Sequence, residues 1–243
     1  MHRFYADPER SDPSCFFLTP EDAHHAQNVL RMRPGDDAEV FFHGERWSAR
    51  ISASGDDVIL FPSEKLPSTE PSLSVTLFQG LPKNDKMEWI VQKSVELGAV
   101  RIVPVTFSRC VMKLSGRDAV KKQERWQKIA REAGKQSGRC IVPEVTEPLS
   151  LSALRDYFSL CDKVAVPWED CPKGGPLSFA ERNPSLSTLG IIIGPEGGIS
   201  SEEMQFLTDV GCEPLTLGKR ILRTETAGLA ALSVFFGLYG EME

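Results

Sequence analysis

Histidine is confined to the first part of the chain: His2, His24, His25 and His43 are the whole complement, and residues 44–243 hold none. That removes a His-based triad or a His-ligated metal from most of the protein. Six cysteines (Cys15, Cys110, Cys140, Cys161, Cys171, Cys212) are scattered without a C-x-x-C pair. This speaks against a zinc site and for free thiols in a reducing cytosol, with no metal expected. G-x-S-x-G, G-x-x-x-x-G-K-[ST] and G-x-G-x-x-G are all missing, and with them the signatures of hydrolases, P-loop enzymes and ordinary dinucleotide enzymes. No apolar run approaches the roughly 18 residues of a membrane span. The longest, Leu229 to Tyr239, reads as a buried helix. The opening Met1-His2-Arg3-Phe4-Tyr5-Ala6-Asp7 carries no signal-peptide pattern, so a cytoplasmic location is expected.

Excess positive charge is missing as well. The formal net charge is −6, which at face value speaks against a nucleic-acid partner. The sum conceals its distribution: residues 1–70 carry −6, 71–145 carry +7 and 146–243 carry −7. A basic middle between acidic ends has the form of a polyanion footprint, although a run of charge is more often a solvated helix face.

What is present divides the chain in two. Thr19-Pro20-Glu21-Asp22 has the chemistry of a helix start, and the helix should run through His24, His25, Val29 and Leu30 and stop before Pro34-Gly35. Alternating runs at Ala38–Phe42, Trp47–Ser52 and Val58–Phe61, broken by His43-Gly44-Glu45 and Gly55-Asp56-Asp57, suggest a small antiparallel barrel. The Pro- and Ser-rich stretch 62–71 reads as a linker, giving domains at 1–71 and 72–243. Beyond it, strands and helices alternate. Strands are expected at Leu73–Phe78, Arg101–Phe107, Val142–Val145, Lys163–Pro167, Leu189–Ile193 and Pro214–Leu217. Helices are expected at Asp85–Leu97 with Gly98 as C-cap, Arg117–Gly134, Ser150–Phe158, after the Ser200-Ser201-Glu202-Glu203 capping box, and Thr224–Tyr239. Such alternation predicts an α/β domain with a mainly parallel sheet.

Two loops after late strands sit where open α/β sheets bind ligands. Gly194-Pro195-Glu196-Gly197-Gly198 offers bare backbone to a flat ligand and one charge, Glu196; it could equally be a tight turn with a solvated acid. The second, Leu217 to Ala227, places Lys219, Arg220 and Arg223 just before a helix capped by Thr224-Glu225. Cations are disfavoured beside a helix N-terminus, which suggests an anionic partner for the three, unless Glu225 alone neutralises them.

Six motifs in order carry a resemblance over nearly the whole chain. They are Met1-His2-Arg3-Phe4; His25-x-x-x-Val29-Leu30-Arg31 with Pro34-Gly35-Asp36; Lys83-x-Asp85-Lys86-Met87-Glu88-Trp89 with Val91-Gln92-Lys93-x-x-Glu96-Leu97-Gly98; Glu132-Ala133-x-x-Gln136-Ser137-Gly138-Arg139; Ile193 to Gly198; and Leu217-Gly218-x-Arg220-Ile221-Leu222-Arg223-x-Glu225-Thr226-Ala227. In these the sequence resembles the bacterial RsmE family, 16S rRNA uridine N3-methyltransferases of the SPOUT class. It departs at Lys135, where the family commonly has Glu, so that position is given no role.

The resemblance implies a small PUA-like RNA-binding β-barrel followed by a SPOUT domain whose C-terminal trefoil knot binds S-adenosylmethionine. It also implies a homodimer acting on 16S rRNA in the nearly assembled small ribosomal subunit. The cofactor residues are then Pro167, Gly194, Pro195, Glu196, Gly197, Gly198, Leu217, Gly218, Ile221, Leu222, Arg223 and Ala227. The last helix joins the dimer interface in the family; the apolar face of Leu229, Leu232, Phe235 and Phe236 suits that, or core packing within one chain. Uridine N3 is nucleophilic only once deprotonated, so the site must stabilise an anion or take a proton. The catalytic candidates are Arg223 for the negative charge, and Glu225 or Glu196 as proton acceptor or positioner. Phosphate contacts are expected from Arg3, Arg31, Arg33, Lys83, Lys86, Arg125, Arg131 and Arg139. The competing readings are another SPOUT activity on tRNA or a ribose 2′-hydroxyl, and a ribosome-assembly RNA-binding protein without catalysis.

Overall fold

Alternating apolar residues build the first sheet. The computed structural model describes residues 1–54, 57–171 and 174–242. Within it the chain packs as two compact units, Met1–Glu70 with Gly134–Val142, and Pro71–Ala133 with Pro143–Glu243. The break expected after residue 71 falls beside the first crossing; the sequence reading assigned 134–142 to the other unit.

In the first unit the strands are β1 (His2–Tyr5), β2 (Phe16–Phe17), β3 (Asp37–Phe42), β4 (Glu45–Ser54) and β5 (Val58–Leu66), in the sheet order β1-β3-β4-β5-β2. His43 and Gly44 join β3 to β4, both at positive φ (48° and 78°), the two-residue turn whose twist suits a hairpin. Part of the turn expected between β4 and β5, Gly55 and Asp56, lies outside the described residues. Two expectations are corrected. The sheet is mixed, because β1 pairs parallel to β3 across the intervening helix. The linker begins later than expected, because β5 runs on through Pro62 to Leu66. A bulge against Ser48/Ala49 accommodates Pro62, where the ladder needs no N–H.

Helix α1 (Pro20–His24) starts as its sequence dictates, with the Thr19 hydroxyl accepting from the Asp22 amide at 3.3 Å, and continues as a π-helical turn over His25–Val29. The second contribution to this unit, Gly134–Val142, supplies partners that the first seventy residues lack. Arg139 is buried with its guanidinium 2.7 Å from Glu70, the Tyr5 hydroxyl lies 2.9 Å from the Arg139 carbonyl, and Lys135 reaches Asp22 at 2.5 Å. The residue that departs from the family pattern therefore holds a carboxylate only 3% exposed, a group that could not be buried alone.

The second unit comprises β6 (Ser74–Gly80), α2 (Lys86–Leu97), β7 (Arg101–Thr106), α3 (Gly116–Ser137, its last turn in the first unit), β8 (Glu144–Val145), β9 (Leu149–Ser150), α4 (Arg155–Phe158), β10 (Lys163–Pro167), α5 (Pro176–Arg182), β11 (Thr188–Ile193), α6 (Ser201–Asp209), β12 (Glu213–Leu215) and α7 (Thr224–Leu238). The strands run in the order β12-β10-β11-β6-β7-β8, with β9 beside β7, every pairing parallel. Helix α2 ends at Gly98 in the left-handed conformation, and the Ser200/Glu203 capping box opens α6, both as expected. The helix expected over 150–158 is instead a 3₁₀ turn at Leu151–Leu154 leading into α4, and α5 was not anticipated. Ile191, Ile192 and Ile193 are buried on both faces of the sheet. Leu232, Phe235 and Phe236 of α7 are also buried within the chain, Phe235 edge-on to Phe179 at 5.4 Å, so they belong to the core and not to a free face. Burial lifts the Cys212 thiol to about 12 and Cys161 to about 11, which keeps both protonated.

Candidate functional site

Strands β12, β10, β11 and β6 are neighbours in that order, and all point their C-terminal ends to one side of the sheet. The segments leaving those ends enclose a cavity of about 740 Å³: residues 167–171 after β10, 193–199 at the end of β11, 216–224 after β12, and Lys86 at the start of α2. This is the volume of a small-molecule site in the place where parallel sheets bind ligands. Every residue expected around a cofactor lines it, namely Pro167, Gly194, Pro195, Glu196, Gly197, Gly198, Leu217, Gly218, Ile221, Leu222, Arg223 and Ala227. Trp168, Glu169, Cys171 and Thr216 line it too, and sequence reasoning missed them because nothing in a loop's composition shows what it faces.

The glycine-rich turn owes its composition to the protein's own packing. Gly198 sits at φ +73°, a conformation that side-chain-bearing residues avoid. A Cβ on Gly80, at the end of β6, would stand 2.6 Å from the Pro195 nitrogen, so only glycine lets the strand end meet the turn. A largely buried chain of hydrogen bonds fastens the same turn. Gln79 Nε2 donates to Thr224 Oγ1 at 2.8 Å, and Thr224 Oγ1 donates to the Gly194 carbonyl at 2.7 Å. The expected Thr224-Glu225 cap is thereby corrected: α7 has no side-chain cap, because its cap position falls on Arg223, and the threonine hydroxyl is engaged across the site.

Glu225 is also engaged elsewhere. Lys86 lies 3.1 Å from Glu225 and 3.4 Å from Glu196, joining the start of α7 to the glycine turn through one ammonium. Burial alone would raise Glu196, but the Lys83 amide at 3.0 Å and the Lys86 charge outweigh it and hold the carboxyl below its ordinary range. Glu225 is likewise lowered, burial being overcome by its own amide, Lys86 and the charge of Arg223. The Lys86 ammonium is raised by its hydrogen bond to Glu225, against a smaller desolvation penalty. Glu225 does not line the cavity; it acts there through Lys86. Arg223 is exposed at the mouth, and no described residue forms a side-chain hydrogen bond or ion pair with it, with Lys219 or with Arg220.

The basic residues expected at RNA are dispersed. Arg31 and Arg33 are exposed in the first unit, Arg31 in the left-handed region at φ 55°. Arg3 is bound to Glu39 at 3.1 Å and to the Gln136 carbonyl at 2.6 Å, and Arg139 is buried on Glu70, so neither presents a free guanidinium. In the second unit Lys83 is exposed, Arg125 is exposed but paired with Glu88 at 2.8 Å, Arg131 is half-buried, and Lys86 belongs to the cavity. Among the described residues no cluster of three or more His, Cys, Asp or Glu could hold a metal ion, and no helix is long and apolar enough to cross a membrane.

Known proteins with this arrangement share a chemistry. The RNA methyltransferase domain family matches residues 69–236, and the RNA methyltransferase PUA domain family matches residues 18–61. Ribosomal RNA small subunit methyltransferase E of Bacillus subtilis (strain 168) is 40% identical over 96% of this chain and 95% of its own. The protein of the same name from Buchnera aphidicola subsp. Acyrthosiphon pisum is 30% identical over 99% of this chain and 95% of its own. The chain belongs to the ribosomal RNA small subunit methyltransferase E family. A crystal structure of the Neisseria gonorrhoeae family member, bound to S-adenosyl methionine, superposes with a TM-score of 0.85 at 34% identity, over 98% of each chain. Within this family fold, the Gln79–Thr224–Gly194 chain and the Lys86 bridge are the parts of the cavity that no loop motif announces.

Proposed function

We propose that this chain is an S-adenosylmethionine-dependent methyltransferase acting on N3 of a uridine in 16S rRNA of the small ribosomal subunit. The observation that carries this reading is the cavity beyond β12-β10-β11-β6, lined by bare turns and open at a mouth that presents Arg223. Its lining suits the cofactor. Ile193, Ile199 and Leu222 offer apolar walls to a flat base, the turns offer backbone donors and acceptors, and Glu169 and Glu196 offer negative charge to a cation. When bound there, S-adenosylmethionine supplies an electrophilic methyl group.

The chain's own residues do the rest. Positioning and exclusion of water are the main contributions to an in-line methyl transfer. Arg223, unpaired at the mouth, holds the negative charge left on the base when the N3 proton passes to solvent. Glu196 and Glu225 have lowered pKa values and are weak bases, so their part is to fix Lys86 and the glycine turn. The same reading includes the threaded trefoil path after β12, exposed Arg31, Arg33 and Lys83 as phosphate contacts, and a cytoplasmic location. It also includes a homodimer through the side of α7 where exposed Val234 and Gly237 flank half-buried Ala230 and Ser233.

Two measurements test it. Calorimetry should show S-adenosylmethionine binding; its absence would leave only a non-catalytic RNA-binding protein. Mass spectrometry of rRNA from a strain lacking the gene should show one methyluridine missing, restored by the wild-type protein but not by Arg223→Ala. If the missing methyl group were on a ribose or on tRNA, the uridine N3 assignment would fall.

A further inference from the structure

At the mouth of the cavity stands a side chain that the fold leaves bare. Ile221 is 84% exposed, the most open of the large apolar side chains among the described residues. Burying such a side chain is favourable by about 1.5–3 kcal/mol, so an isoleucine held out at a site entrance invites something to cover it. Its surroundings indicate what. Lys219 and Arg220 precede it and Arg223 follows it, all exposed and none within ion-pair distance of a described carboxylate. Glu225, at the start of α7, is committed to Lys86. The lip also lies at the N-terminus of the fifteen-residue helix α7, whose dipole adds positive potential.

An apolar tip between unpaired cations is complementary to a nucleic-acid strand, with phosphates beside it and base faces at its centre. It is a poor match for an apolar protein surface, which would strand the three charges. Resting on the reading that the substrate base is uridine, a second consideration applies. N3 lies on the pairing edge, so the base must leave its partner and its stack to reach the cavity. Proteins that open a stack insert an apolar side chain between bases and grip the flanking phosphates with cations.

We infer that Ile221 is an RNA-contacting wedge: it packs against the bases next to the target uridine, while Lys219 and Arg220 hold the adjoining phosphates. Ile221 therefore faces the RNA more than the cofactor, which sharpens the place given to it by its motif.

The test uses the full-length protein and small ribosomal subunits from a strain lacking the gene. Ile221→Ala should weaken binding to these subunits and lower kcat/KM for them by about ten-fold, the order expected for losing most of one buried apolar side chain's contact. Its affinity for S-adenosylmethionine and its mass in solution should be unchanged. Lys219→Gln and Arg220→Gln should each flatten the salt dependence of subunit binding by about one unit of slope. Subunit binding and methylation within two-fold of wild type in Ile221→Ala would overturn the wedge. So would a parallel loss of cofactor affinity, which would make Ile221 part of the cofactor wall. A change of mass would likewise overturn it and assign the lip to an interface between copies. If the wild-type protein transferred no methyl group, the proposed function would fall, while the subunit-binding comparison would still decide for or against the wedge.

Discussion

Lys86 joins two carboxylates, Glu196 of the glycine turn and Glu225 at the start of α7, and its loss should be felt in how the site responds to pH. Glu196 and Glu225 have lowered pKa values, so what they contribute is present above the ordinary carboxylate value and lost as pH falls through their lower folded values. Lys86 is raised, so its contribution is present below the ordinary lysine value and lost as pH rises through its folded value. Between the two windows the bridge is fully charged. Wild-type affinity for S-adenosylmethionine should therefore be flat from about pH 6 to 9 in calorimetric titrations. In Lys86→Met the two carboxylates face each other unbridged. Affinity should fall about ten-fold at neutral pH and recover as the pH approaches the carboxylate range, with Lys86→Arg staying close to wild type. A flat pH profile in Lys86→Met would show that the bridge is decorative. The sequence made Glu196 and Arg223 visible, because each stands out in a loop of unusual composition. Lys86 looked like one more member of a basic segment: charge is readable along a chain, but the choice of ion-pair partner is made across it.

Among the elements, the junction between β6, the turn after β11 and the start of α7 depends on one hydroxyl. Thr224 accepts from Gln79, which is fully buried, and donates to the half-buried carbonyl of Gly194. Replacing it by valine keeps the shape and leaves a buried amide and a carbonyl without their partner, at a cost of about 1–3 kcal/mol. Thr224→Val should lower Tm by several degrees in a thermal melt and weaken cofactor affinity, because the turn it anchors lines the cavity, whereas Thr224→Ser should behave as wild type. An unchanged Tm and affinity would show that the hydroxyl is dispensable. Thr224-Glu225 matched the pattern of a helix cap, and nothing local indicates that the cap position would fall on Arg223, leaving the threonine hydroxyl for Gly194. The strands were legible where burial on both faces imposes apolar runs rich in β-branched residues, as in β10 and β11. They were misjudged where one residue misleads: Pro62 signals the end of a strand, yet β5 carries it at a bulge. Helix α5 escaped notice because only Phe179 of its seven residues is buried, too few to set a helical period.

For the molecule as a whole, composition and motif order revealed two units, but the position of their boundary depends on contacts distant in sequence. The first unit is completed by Gly134–Val142. Without that segment Glu70 loses Arg139, Asp22 loses the Lys135 ammonium that pairs with it, and the Tyr5 hydroxyl loses the carbonyls beside it. A fragment of residues 1–71 should therefore lack a cooperative melt, by circular dichroism, at temperatures where the full chain is folded; a sharp transition in the fragment would contradict this. The same crossing has a consequence during synthesis. A ribosome making this protein must release residue 142 before the first unit can close, and by then it has already made β6, α2, β7 and all of α3. Those elements must in turn wait for β10, β11 and β12, which complete their sheet. The first unit cannot close until the first half of the second has been made, and the second cannot close until synthesis is nearly done, so apolar strands stand open for most of the chain's elongation. That leaves a nascent protein exposed to aggregation until its last hundred residues emerge.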